Sequence, residues 1–283
     1  MVNKADVYLR ETLLEILEEG CLDNNVRALY EDGAPAISQF ITHKTFNYDL
    51  QKGEYPLPSL RNTAVRTGIR EMLWIYQKQS NELSVADSLS VKWWNLWNIG
   101  DGTIGRRYGA TVKKYGIIET VLSDLETLKF SRRHIIDLYQ YNDFKETKGL
   151  HPCVFLSMFA VREIEGVNYL DLMLVSRSSD FVVAGFINQS QYVGLLMMIV
   201  GHLNTVTNEA WERGKFTFVG NNLHCYLRNF DALGEILDRK SLGIQPTMKL
   251  KENKNFFDYV IEDFEFSGLE KTEKLKNKLH LAI

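Results

Sequence analysis

Cysteine is scarce. The 283-residue chain has three, Cys21, Cys153 and Cys225, with no CxxC pair and no Cys/His ligand cluster. An odd, low count argues against a disulfide framework and for a reducing, cytoplasmic setting. It also predicts no zinc or other metal site. Long apolar runs are missing: the longest, Tyr192 to Val200, is too short to span a bilayer, so no membrane role is expected. The N-terminus, Met1-Val2-Asn3-Lys4, leads into an amphipathic segment with Glu18 and Glu19, not into a secretory apolar core. Neither sign of charge dominates. A net charge of −3 excludes a chain that is basic throughout, and no DNA binding is predicted. Repeats, low-complexity tracts and linkers are absent, so 1–283 reads as a single domain.

What is present is ordinary globular material, 45% hydrophobic and 24% charged. Residues 6–19 read as a helix, with Gly20 at its C-cap. Residues 36–49 are strand-like. Residues 63–79 form a helix apolar over much of its circumference, and 117–129 a further amphipathic helix. Strands follow at 135–139 and from Val154, where Leu170, Leu172 and Leu174 alternate with Asp171, Met173 and Val175 across a hairpin at Glu165 to Asn168. A buried helix is expected from Gln191 to about Arg213. A strand is expected over 216–228, with Leu223, Cys225 and Leu227 on the core face. A helix is expected over 230–238, then two strand-like runs over 246–263.

Several residues carry chemistry. Leu150-His151-Pro152-Cys153-Val154 lies between Ser131-Arg132-Arg133-His134 and Ser176-Arg177-Ser178-Ser179-Asp180. A thiol among arginines suits a thiolate nucleophile beside a bound anion, because guanidinium stabilises the thiolate and clamps phosphate. For Cys153 alone a buried structural thiol is the simpler reading, and a double arginine is usually a solvated surface feature. Glu71 sits among Met72, Leu73 and Trp74, where a carboxylate must be paired, neutralised or functional. Trp93-Trp94-Asn95-Leu96-Trp97 is either core or a stacking wall for a flat heterocycle.

In order, these motifs resemble the thymidylate synthase family from about Arg27 to Ile283. The resemblance implies a mixed α/β fold: a large twisted sheet with helices on one side, the sheets of two subunits stacking back to back in a homodimer. It implies that Cys153 attacks carbon 6 of deoxyuridylate (dUMP) and that Arg177 lowers its pKa. Glu71 would organise proton transfer at the pyrimidine carbonyl, Tyr108 would help remove the carbon-5 proton, and Asn188 would read uracil. Arg27, Arg177 and Ser178 would bind the phosphate, joined by Arg132 and Arg133 crossing from the partner subunit. His224 and Tyr226 would hold the sugar hydroxyl. Trp94, Trp97, Leu150, Asp180 and Ile283 would bind the folate, with 5,10-methylenetetrahydrofolate as co-substrate.

The chain departs from the family pattern at Asn95, Ala184, Phe186, Ile187, Asn221 and Asn222. These positions keep two further activities in view: a hydroxymethylase that adds water instead of hydride, and an inactive binding protein. Trp94, Trp97 and Asp180 favour the synthase.

Overall fold

The computed structural model describes residues 2–24 and 26–283; Met1, and Asn25 of the loop before Arg27, lie outside the described residues. Helix α1 spans Lys4–Glu19, capped by the Asn3 side chain accepting from Ala5 N–H. Its buried side, Ala5, Leu9, Leu13 and Ile16, recurs at helical spacing. Gly20 does end the helix, but in extended rather than left-handed backbone. Glycine is needed there because a Cβ would stand 2.3 Å from the Ile16 carbonyl oxygen.

The chain then builds β1 (Cys21–Asp23) and β2 (Ser38–Asp49). Helix α2 (Val65–Met72) runs on into a π-turn, Leu73–Gln77, so the single predicted helix over 63–79 widens after Glu71. Short helices α3 (Leu83–Ser88) and α4 (Gly109–Tyr115) flank a 3-10 turn, Trp93–Trp97. Then come α5 (Ile117–Thr127), β3 (Ile135–Asp137), α6 (Tyr141–Glu146), β4 (Val154–Ile164), β5 (Val167–Ser176) and β6 (Ser179–Asp180). Helix α7 (Gly185–Val206), β7 (Ala210–Tyr226), α8 (Phe230–Asp238) and a small hairpin of β8 (Thr247–Leu250) with β9 (Phe264–Ser267) complete the fold.

The strands form one mixed sheet in the order β1-β2-β7-β5-β4-β3, with β6 pairing beside β7. Strand β7 is antiparallel to β2 and parallel to β5. β4 and β5 meet through a two-residue turn in which Glu165 and Gly166 both have positive φ, the geometry of a tight hairpin. The register aligns Phe46, Phe218, Leu174, Ser157 and Ile136 in one row across the sheet, all buried. Helix α7, buried along most of its length, packs on the sheet at β7 and β5, and α2 packs on α7. The opposite row contains Ile135 and Met173, which are 42% and 40% exposed.

Three expectations need correction. The long helix ends at Val206, not near Arg213, and the next strand already begins at Ala210. Its apolar helical spacing stops at Leu203, and Trp211, Phe216 and Phe218 are strand-type aromatics. Leu227 is exposed in a 3-10 turn and does not share the core face of Leu223 and Cys225, because β7 ends at Tyr226. The second strand-like run of the 246–263 segment falls at Phe264–Ser267, after two 3-10 turns.

Candidate active site

Cys153 stands one residue before β4, where the pairing with β5 carries a bulge between Val154 and Leu156. Bulges beside functional sites re-aim the chain. Arg177, just past the end of β5, ties this turn down. Its backbone N–H donates to the Cys153 carbonyl at 2.9 Å, its Nε to the Pro152 carbonyl at 2.9 Å and its Nη2 to the His151 carbonyl at 2.7 Å. The same Nη2 lies 3.8 Å from Cys153 Sγ. The expected lowering of the thiol pKa is real but outweighed. Burial pushes the thiol above its ordinary value, against the pull of Arg177 and then Arg27.

A cavity of about 460 Å³ opens over this sulfur, a size typical of small-molecule sites. Arg27, Glu71, Trp94, Trp97, Tyr108, Leu150, Cys153, Arg177, Ser178, Asp180, Asn188, His224, Tyr226 and Ile283 all line it. Arg132 and Arg133 do not; both are exposed, away from this subunit's cavity.

Glu71 comes from the last turn of α2 and is 8% exposed. Burial pushes its carboxyl up to about 7, opposed by Trp93, Trp94 and Gln191; Trp93 Nε1 donates to Oε2 at 2.6 Å, whereas Trp94 Nε1 reaches no hydrogen-bond partner. Asp180, on β6, is likewise pushed up to about 7 by burial, with the Val183 backbone and Arg61 opposing. Its Oδ1 and the Trp94 Nε1 are buried polar atoms without partners, as a polar-edged heterocycle bound there would require. Trp94 meets Trp97 and Tyr108 edge-on, at 5.4 and 5.0 Å between ring centres. Apolar rings with these few polar atoms suit a pterin, so the residues fit the folate.

Tyr108 holds φ 50 and ψ −108 ahead of α4, a strained conformation for a tyrosine, and its hydroxyl accepts from Cys153 N–H at 3.4 Å. On β7, Nδ1 of His224 pairs with Asn222 Oδ1 at 3.0 Å. That oxygen only accepts, so Nδ1 carries the proton and Nε2 is left as an acceptor. Burial lowers the imidazole to about 4, so it is neutral at working pH.

Two distant segments meet at the cavity wall. Leu29 and Ile283 exchange both backbone hydrogen bonds at 2.9 Å, beside a Tyr30–Ala282 bridge. The Asn229 side chain donates to the His280 carbonyl at 3.0 Å and accepts from His280 N–H at 2.7 Å.

Sequence reading missed Arg61, Trp93, Gln191 and Tyr192 among the lining residues. For Gln191 a signal existed. It lies one helical turn beyond Asn188 on α7, but starting that helix at Gln191 hid their shared face. Trp93 belonged to the tryptophan run without a role of its own. Arg61, in the loop before α2, gave no signal.

Fold and cavity together define a sheet-based protein with a cysteine-centred site lined by arginines and aromatic rings. The sequence profile of thymidylate synthase matches residues 7–281. The chain is 45% identical to the thymidylate synthase of Lactococcus lactis subsp. cremoris, over 99% of both chains. It is also 45% identical to that of Streptococcus pneumoniae, over the full length of both. The solved structure of thermostable thymidylate synthase A from Bacillus subtilis superposes with a TM-score of 0.87, at 27% identity and 99% coverage of both chains. The chain belongs to the thymidylate synthase family.

Proposed function

We propose that this protein is a thymidylate synthase, converting dUMP to dTMP with 5,10-methylenetetrahydrofolate as one-carbon donor and reductant. The observation that carries the reading is the Cys153 sulfur 3.8 Å from Arg177 Nη2, in one cavity with Glu71, Tyr108 and Asn188.

The Cys153 thiolate adds to carbon 6 of uracil and makes carbon 5 nucleophilic, splitting one hard step into two easier ones. Arg27, Arg177 and Ser178 hold the phosphate, and Arg177 also steadies the thiolate. Asn188 pairs with the imide edge. Glu71, poised near neutral pH, exchanges the proton at the pyrimidine carbonyl. Tyr108 assists loss of the carbon-5 proton through its hydroxyl. Neutral His224 accepts from the sugar 3′-hydroxyl and Tyr226 pairs beside it. Trp94, Trp97, Leu150, Asp180 and Ile283 line the folate side. The folate supplies the methylene group and then a hydride, leaving as dihydrofolate.

We read the whole of 1–283 as one catalytic domain working in the cytoplasm. It would be a homodimer that buries the sheet row around Ile135 and Met173 and sends Arg132 and Arg133 into the partner's phosphate site. Support comes from the exposure of that row and of both arginines. Among the described residues, no helix is long and apolar enough to cross a membrane, and no group of three His, Cys, Asp or Glu is placed to hold a metal ion.

The test is product analysis with dUMP and methylenetetrahydrofolate. Thymidylate formed in step with dihydrofolate is expected. Hydroxymethyldeoxyuridylate without dihydrofolate would make the protein a hydroxymethylase, and no covalent adduct with 5-fluorodeoxyuridylate and folate would make it a binding protein.

A further inference from the structure

A carboxyl that exchanges a proton with a pyrimidine carbonyl must hold one orientation. Glu71 is buried on α2, immediately before the π-turn. The close hydrogen bond to its carboxyl is the 2.6 Å contact from Trp93 Nε1, with Trp94 and Gln191 adding weaker pulls on the same group. An indole N–H donates and cannot accept, so Trp93 can orient the carboxylate without relaying its proton. Its neighbour Trp94 spends its ring on Trp97 and Tyr108 and leaves its own Nε1 unpartnered. Gln191 closes the other side. Its Nε2 donates to the Gly68 carbonyl at 3.4 Å, and the missing side chain of Gly68 makes the room, since a Cβ there would stand 2.9 Å from Gln191 Cγ.

We propose that Trp93 is a positioning residue for the reaction: its indole N–H fixes the Glu71 carboxyl toward the nucleotide and favours the ionised form. The inference rests on the reading of Glu71 given above. The other titratable groups around this carboxyl are Tyr76 on the π-turn, Tyr108 before α4 and Tyr192 on α7, phenols that burial keeps neutral. Cys153, Asp180, His224, Arg27, Arg61 and Arg177 share the cavity. All are unchanged when Trp93 alone is replaced, so a difference in titration belongs to the indole.

The experiment compares kcat against pH for the wild type, Trp93→Phe and Glu71→Gln, with the Kd for dUMP measured in parallel. Losing the donor weakens the ionised form. The acid limb of Trp93→Phe is therefore expected to move up by roughly one pH unit, and kcat at pH 7 to fall about fivefold. The Kd for dUMP should stay within about twofold of the wild type. The Glu71→Gln variant is expected to lose the limb. An acid limb that stays in place in Trp93→Phe but vanishes in Glu71→Gln overturns the role of Trp93 alone. A limb that survives in Glu71→Gln overturns the reading of Glu71, and the proposal with it. Trp93→Leu repeats the comparison if the phenylalanine variant does not fold.

Discussion

At the scale of single residues, the site works against its own stability. Glu71 titrates near 7 in the folded protein against an ordinary value of 4.5, so the folded state holds an extra proton between those two pH values. Stability from this group is complete below about pH 4.5 and is lost as pH rises through 7. Glu71→Gln should therefore raise the unfolding free energy at pH 8 by about 3 kcal/mol and leave it nearly unchanged at pH 4. Denaturant melts at the two pH values check this, and a loss of stability at pH 8 would contradict the burial argument. Cys153 has the same character. Burial holds its thiol above the usual range, so alkylation of the free protein should keep accelerating with pH beyond the ordinary thiol midpoint. Cys153→Ala should abolish turnover, at least about 10⁴-fold, while dUMP still binds by calorimetry. Asn188→Asp should move nucleotide preference toward dCMP, because a carboxylate repels the uracil carbonyl and accepts from the cytosine amino group. Unchanged preference in competition assays would remove Asn188 from the reading of the base.

At the scale of elements, regular periodicity was legible and its interruptions were not. The alternation of Leu170, Leu172 and Leu174 predicted β5 and its buried face, and α8 was read at its observed bounds. The π-turn after Glu71 was hidden, because one widened turn does not break an apolar pattern that covers most of the helix. The end of α7 was misplaced because the segment after Val206 carries no proline or early glycine to mark the stop. The order of the site motifs along the chain was readable, whereas the Trp93–Glu71 bond joins side chains 22 positions apart and is a product of packing. Packing also decides Gly109. A Cβ there would stand 2.2 Å from the Ser80 carbonyl oxygen, a backbone atom that cannot swing aside. Gly109→Ala should cost about 2–3 kcal/mol and drag the strained Tyr108 out of place. Its Tm and kcat should fall together, and a fall in Tm with full activity would separate α4 from the site.

At the scale of the whole molecule, Arg132 and Arg133 are exposed and do not line the cavity of their own subunit. If the partner supplies them, Cys153→Ala and Arg133→Ala are defective in different halves of one composite site. Refolding an equal mixture makes half the molecules mixed dimers, each with one intact site, so activity should return to about a quarter of the wild type. No recovery would place both residues in one subunit's site. The cavity carries a further property. Three of the five tryptophans, Trp93, Trp94 and Trp97, line it, and Trp74 stands 6.0 Å from Trp94. At such separations excitation passes readily between indoles, so the emission of Trp74 is coupled to the rings that line the cavity. If folate binds there, the protein's own ultraviolet emission is expected to dim as the cavity fills, with no dye attached.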